Sequence, residues 1–174
     1  MHLVQSVTES IKLIYVNLNN KYQIVIPSDI LNSLLEFRQL GFEPEAGGIF
    51  VGKRLLNNSI LIVNFSEPQD KDLRSRFKFS KTSPNHQKFA DDYFGKSSGF
   101  ISLIGEWHTH PEDIPTASIV DIQSWEKIIS DNDDRLFFLI IGLQAGRFYY
   151  RESNEWQSTL IYFKDVLNTY GFKK

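Results

Sequence analysis

"GEWHTHPEDIPTASIVDIQSW", residues Gly105–Trp125, decides how the rest of the chain is read. It begins as the end of a mostly apolar strand, Phe100 to Trp107. It passes through His-Thr-His and two prolines, and then runs into a helix expected from about Ala117 to Ser130. Residues i and i+2 of a strand point the same way, about 7 Å apart along it, so His108 and His110 can aim two imidazoles at one point. Ser118 and Asp121 are three apart and share one face of the helix's first turn. Zinc takes N and O ligands, and a catalytic site uses three protein ligands with one position left open to water. Asp121 is the candidate third ligand. Pro111 and Pro115 stiffen the connection and hold the ligands in place before a metal arrives.

A plainer reading stands beside this one. His-x-His on a strand is often a pair of ordinary surface or core residues. Ser-x-x-Asp before an apolar run resembles a capping box, with Asp where Glu or Gln is usual. The joint spacing His-x-His-x7-Ser-x2-Asp is more selective than either half, with a chance match on the order of one in a thousand.

Outward from the motif, the elements alternate in kind. Ile11–Leu18 and "KYQIVI" flank Asn19-Asn20 and form an expected N-terminal hairpin within residues 1–26. Pro27-Ser28-Asp29 opens a helix whose buried side is Ile30, Leu31, Leu34, Leu35 and Phe37, ending near Gly41 and Pro44. "GGIFVGKRLL", Asn57-Asn58 and "SILIVNF" form a second hairpin that extends through Glu67. Arg74–Phe79, "RSRFKF", alternates strictly and is expected as one strand. Its basic residues Arg74, Arg76 and Lys78 would share one face, either solvated or a docking strip for an acidic tail. Ser83-Pro84 opens a helix running to about Phe94. "RLFFLIIGL" is the most hydrophobic strand and belongs in the middle of the sheet. "GRFYYRES" and "WQSTLIYF" complete it, and residues 164–174 form a short C-terminal segment. The expected fold class is α+β, a mixed-sheet α/β sandwich, in a single domain over 1–174.

Composition narrows the function. A length of 174 residues supports a real core. The net charge of −2 gives no field for nucleic acid. There is no cysteine, which removes disulfides, thiolate catalysis and Cys-based zinc sites. No apolar run reaches the length of a membrane span, and the first residues lack the regions of a signal peptide. A cytoplasmic protein with no membrane contact is expected.

Glu45 with "EAGGIFVG" (Glu45–Gly52) and "HTHPEDIPTASIVD" together resemble the JAMM motif of the MPN+/JAB zinc isopeptidases. In that motif an upstream Glu precedes a glycine pair and an apolar strand, and His-x-His-x7-Ser-x2-Asp follows. Every signature position is filled. The resemblance implies one MPN/JAB domain, a curved mixed β-sheet flanked by helices. It implies one zinc per chain, held by His108, His110 and Asp121. Glu45 would move the proton from the attacking water to the leaving amine. Ser118 would donate to the tetrahedral oxyanion. "GEWHTHPE", with "HQKF" upstream, is further similar to the bacterial JAB deconjugases of CBASS antiphage operons, the CD-NTase-associated protein 3 type. That implies a protein conjugate as substrate, held by an extended C-terminal tail, with a CD-NTase as the conjugated partner.

Neighbouring residues carry plainer expectations. Thr109 points away from the metal, Trp107 belongs to the core, Glu106 is structural, Glu112 sits on the rim, and His86 is a remote candidate for a fourth ligand. A silent MPN-type scaffold that only binds partners is the alternative. Silent relatives typically lose motif residues, and this chain keeps all five. Zinc deaminases also use a metal and a Glu, but they need Pro-Cys-x-x-Cys, which a cysteine-free chain cannot supply. The segment from Asp121 to Arg135 is too short for a long insertion, so no ubiquitin-chain specificity is carried over.

Overall fold

The computed structural model describes residues 11–170. The first strand, β1 (Leu13–Leu18), pairs antiparallel with β2 (Tyr22–Pro27). Asn19 and Asn20 at the turn take positive φ, a conformation asparagine tolerates better than most residues. Alternation along β1 sends Ile14, Val16 and Leu18 into the core. Helix α1 (Ser28–Leu35) buries Ile30, Leu31, Leu34 and Leu35, and stops six residues before Gly41. β3 (Gly47–Arg54) and β4 (Ser59–Phe65) form the second hairpin, turned at Asn57 and Asn58, again with positive φ. The ladder ends at Phe65, two residues short of the expected Glu67.

Arg74–Phe79 is not one strand. β5 (Leu73–Ser75) and β6 (Lys78–Ser80) fold back on each other around Arg76-Phe77 as a separate two-stranded sheet. The basic residues therefore part. Arg74 donates to the Glu45 carbonyl, while Arg76 donates to the Gly41 carbonyl and lies over the rings of Phe42 and Phe77. Strict alternation is shared by a long strand and a tight hairpin, and these guanidinium contacts favour the hairpin.

α2 (Asn85–Lys96) begins one residue later than expected, with Pro84 at its N-cap position. β7 (Ser102–Thr109) leads into α3 (Ile119–Ser130), which crosses to β8 (Phe137–Ile141), parallel to β7. β9 (Ala145–Glu152), β10 (Glu155–Tyr162) and α4 (Phe163–Tyr170) follow. The large sheet has eight strands in the order β1-β2-β4-β3-β7-β8-β9-β10. It is mixed, since β2–β4 and β7–β8 are parallel pairs. It also curves: Lys21, just after the first turn, pairs with Glu152 of β9, and Asn19 meets Thr159 of β10. The fold is thus mixed α/β, with four helices against a large sheet among the described residues.

β8 shows why its sequence is apolar throughout. Phe137, Leu139 and Ile141 face a core shared with α1, while Phe138 and Ile140 face a second core under Trp125 of α3. A strand covered on both faces keeps no polar side. β7 beside it divides the same way. Trp107 points into the first core, and its indole N–H donates to the Ser66 carbonyl. His108 points the other way, toward Trp125.

Candidate metal centre

β3 and β7 build the floor. Their antiparallel register sets Gly47 opposite His108. One step further, Thr109 N donates to the Ala46 carbonyl and Ala46 N donates to Thr109 Oγ1. Glu45 is the next residue back, and its carboxyl lies near enough to His110 for the two charges to act on each other. Both glycines of Gly47-Gly48 are there for lack of room: a Cβ on Gly48 would lie 1.9 Å from the Ser66 carbonyl, and one on Gly47 would lie 2.5 Å from the Phe79 ring.

The wall is α3, whose start is pinned twice. Ser118 is its N-cap and forms a full capping box with Asp121: Asp121 N donates to Ser118 Oγ, and Ser118 N donates to Asp121 Oδ2. The loop before it is tied to the sheet, since Leu143 N donates to the Glu112 carbonyl, Arg147 to the Pro115 carbonyl and Ala117 N to the Tyr149 hydroxyl. Ser-x-x-Asp therefore forms the capping box, and the same Asp121 also turns toward the two histidines. The box orients the carboxylate.

Three side chains meet as a result. His108 Nε2 and His110 Nε2 are 3.0 Å apart, and they lie 3.3 and 3.4 Å from Asp121 Oδ1 and Oδ2. The ligand atoms of the three lie within 4.8 Å of one another. Two imidazole nitrogens and a carboxylate oxygen aimed at one point suit a divalent metal with nitrogen and oxygen preference. Asp121 also accepts from the Ser118 hydroxyl, 2.7 Å away. Outer contacts of this kind set ligand orientation.

The charges fit the crowding. Burial works against the Asp121 carboxylate, yet hydrogen bonds with His108, His110 and Ser118 hold it well below the usual range. Burial would lower His110, but the neighbouring Asp121, with Glu45 and Glu112 behind it, raises it above the ordinary histidine value. Glu45 is 5% exposed, and burial pushes its carboxyl up to about 7, with His110 pulling the other way and Asp121 and Glu112 adding to the rise. A carboxyl poised near neutrality can both take and return a proton.

The remaining expected residues fall out as follows. Thr109 faces away from the triad and donates to Gln39 Oε1. Glu106 pairs with Lys81, and Glu112 sits half-exposed beside His110. His86 stands apart from the triad. It is buried between Ser66 Oγ, 2.7 Å from its Nδ1, and Asp72 Oδ2, 2.8 Å from its Nε2. Both its nitrogens are engaged, so it is no fourth ligand here.

Two contacts were beyond the sequence reading. The Glu45 amide donates to the Ser75 carbonyl and its own carbonyl accepts from Arg74, so β5 grips the backbone of Glu45 on both sides. Gln39 links that hairpin to the strand of histidines by donating to the Arg76 carbonyl and accepting from Thr109. Neither pairing leaves a mark in sequence spacing.

A family model described as prokaryotic homologs of the JAB domain matches residues 27–159. A CD-NTase/cGAS isopeptidase of Escherichia coli (strain TW11681) is 38% identical over 120 residues, covering 68% of this chain and 76% of the relative. A CD-NTase/cGAS isopeptidase of Vibrio cholerae serotype O1 is 35% identical over the same shares of the two chains. The solution structure of protein DSY2949 from Desulfitobacterium hafniense superposes with a TM-score of 0.57 at 19% identity, covering 77% of this chain and 88% of that one, which speaks for the fold alone.

Proposed function

The chain belongs to the prokaryotic JAB family, and from that premise we propose that it is a JAMM-type zinc isopeptidase that hydrolyses the amide between a protein C-terminus and a lysine or other amine. The observation that carries this reading is the meeting of His108, His110 and Asp121, with the Glu45 carboxyl close enough to His110 and Asp121 to feel their charges. His108, His110 and Asp121 would hold the metal through two imidazole nitrogens and a carboxylate oxygen. When bound, zinc supplies Lewis-acid activation of water near neutral pH. Glu45 takes the proton of the attacking water and returns it to the departing amine. Its raised carboxyl, about 7, suits both transfers. Ser118 has two tasks. Its hydroxyl now donates to Asp121, and in the reaction it would turn that donation to the developing oxyanion.

The substrate is a protein conjugate with an extended C-terminal tail. Among the described residues β6 pairs on one side only, and Phe79 and Ser80 line the cleft that also holds His108 and Asp121. A tail added along that edge would gain backbone hydrogen bonds. The names of the relatives support a conjugated CD-NTase as the partner, and the resemblance of "GEWHTHPE" to the JAB deconjugases of antiphage operons supports a cytoplasmic defence setting. Among the described residues no helix is long and apolar enough to cross a membrane.

The test uses zinc-loaded protein and a CD-NTase with a reporter protein fused to its C-terminus. Wild type releases the reporter. Glu45→Ala keeps its zinc and its melting temperature but loses about 10²–10⁴-fold in rate. A Glu45→Ala protein that cleaves at the wild-type rate would end this mechanism. Zinc-loaded wild type that binds the conjugate without cutting it would leave a binding scaffold.

A further inference from the structure

The cleft beside His108 and Asp121, about 380 Å³, does not stop at the metal centre. It meets a second cleft of about 460 Å³, and Lys81 and Ile128 line both. The second cleft lies at the far end of α3, against Leu103 near the start of β7, with Asp131 and Asp91 of α2 on its walls. The groove therefore runs from His108 past Glu106 toward Leu103. Glu45 lies the other way, two residues past the Gly47–His108 pair that ends the ladder. On the isopeptidase reading, on which this inference rests, Glu45 protonates the leaving amine, so the amine departs on its side. The acyl segment is left to the groove.

Length sets how far that segment reaches. Asp121 to Asp131 spans ten residues of helix, about 15 Å. An extended chain advances about 3.3 Å per residue. The far cleft is thus about five residues upstream of the scissile carbonyl.

Chemistry sets what it accepts there. Leu103 and Ile128 offer apolar surface, and the charges beside them do not cancel. Lys81 is committed to Glu106, and Arg54, which donates to the Leu103 carbonyl, is paired with Asp134. Asp91 and Asp131 form no ion pair with a Lys or Arg among the described residues, whereas Asp92, Asp134 and Glu126 each do. Asp131 is also the C-cap of α3. A carboxylate there faces the negative end of the helix dipole, and a cation would relieve it. A side chain with an apolar stem and a cationic head matches both features. We propose that the far cleft is a specificity site for a Lys or Arg about five residues upstream of the cleaved bond, on the acyl side.

Product-like peptides labelled with fluorescein test this without turnover. Each is built of Ala and Gly, ends in a free carboxylate and carries one Lys, moved from about the third to about the seventh place from the C-terminus. A matched series carries Glu. With zinc-loaded wild type, Lys near the fifth place should bind about tenfold tighter than Glu at that place, the size of two partly screened ion pairs. The gap should narrow in high salt. Asp91→Lys with Asp131→Lys should reverse the order; both positions are exposed, and circular dichroism checks that the variant is folded. No binding, equal binding of the two series, or a preference untouched by the charge reversal overturns the proposal. Should the Lys preference follow the charge reversal while zinc and the terminal carboxylate make no difference to affinity, the far cleft stands and the isopeptidase reading fails instead.

Discussion

His86 and the pair His108–His110 are buried alike, at 2%, 7% and 8% exposure, and each meets an aspartate. Their surroundings differ. His86 is closed: Ser66 and Asp72 take up both ring nitrogens, and Asp72 also accepts from the amides of Gln69, Thr82 and Ser83. His108 and His110 turn their Nε2 atoms toward each other and toward one carboxylate, 3.0–3.4 Å apart. Protein partners saturate the first cluster, which therefore holds the fold. The second gathers more lone pairs than protons, and a cation is the natural partner for such a site. Residue type and burial do not separate the two. The direction of the ring nitrogens does.

The largest effect should come from the open cluster. His108→Ala with His110→Ala should remove the roughly one zinc per chain that elemental analysis is expected to find in the wild type, and all cleavage with it. The fold without metal should survive, because the β3–β7 ladder and the box of Ser118 do not depend on the rings. Unchanged zinc in the double variant would sink the ligand assignment.

The closed cluster should behave in the opposite way. Asp72→Ala leaves three amides and His86 without their acceptor and should cost on the order of 3 kcal/mol in urea unfolding, while zinc per folded chain stays the same. The sign with pH follows from the carboxyl. Burial opposes its charge, but hydrogen bonds from the Gln69 amide, His86 and the Ser83 amide hold it below the ordinary aspartate value. Asp72 therefore adds stability above about pH 4. That stability is lost as the pH falls through the lower folded value. A variant that unfolds at the wild-type urea concentration but loses zinc would break the comparison.

The smallest effect belongs to Ser118, which sits on the border of fold and site. Ser118→Ala removes a helix cap and should cost about 1 kcal/mol, at most about 2. It also removes a donor from Asp121. Melting temperature read beside cleavage rate separates the two tasks. A loss of rate beyond what the melting shift explains would point to the oxyanion, and equal small losses would leave only the cap.

Much of this was legible from the chain alone, for a local reason. His-x-His on a strand, Ser-x-x-Asp at a helix start and a double-sided apolar run such as β8 are periodicities within one element, and backbone geometry turns them directly into shared faces. What only the tertiary structure decided depends on pairs far apart in sequence. Glu45 reaches the triad because β3 and β7 take one register among several possible. Arg74 and Ser75 hold its backbone only because residues 73–80 turn back as a hairpin instead of running on as one strand, and strict alternation allows both. His86 is excluded as a ligand by Ser66 and Asp72, twenty and fourteen residues upstream. Spacing along a chain fixes direction within an element, but the partner of a side chain across elements is chosen by packing.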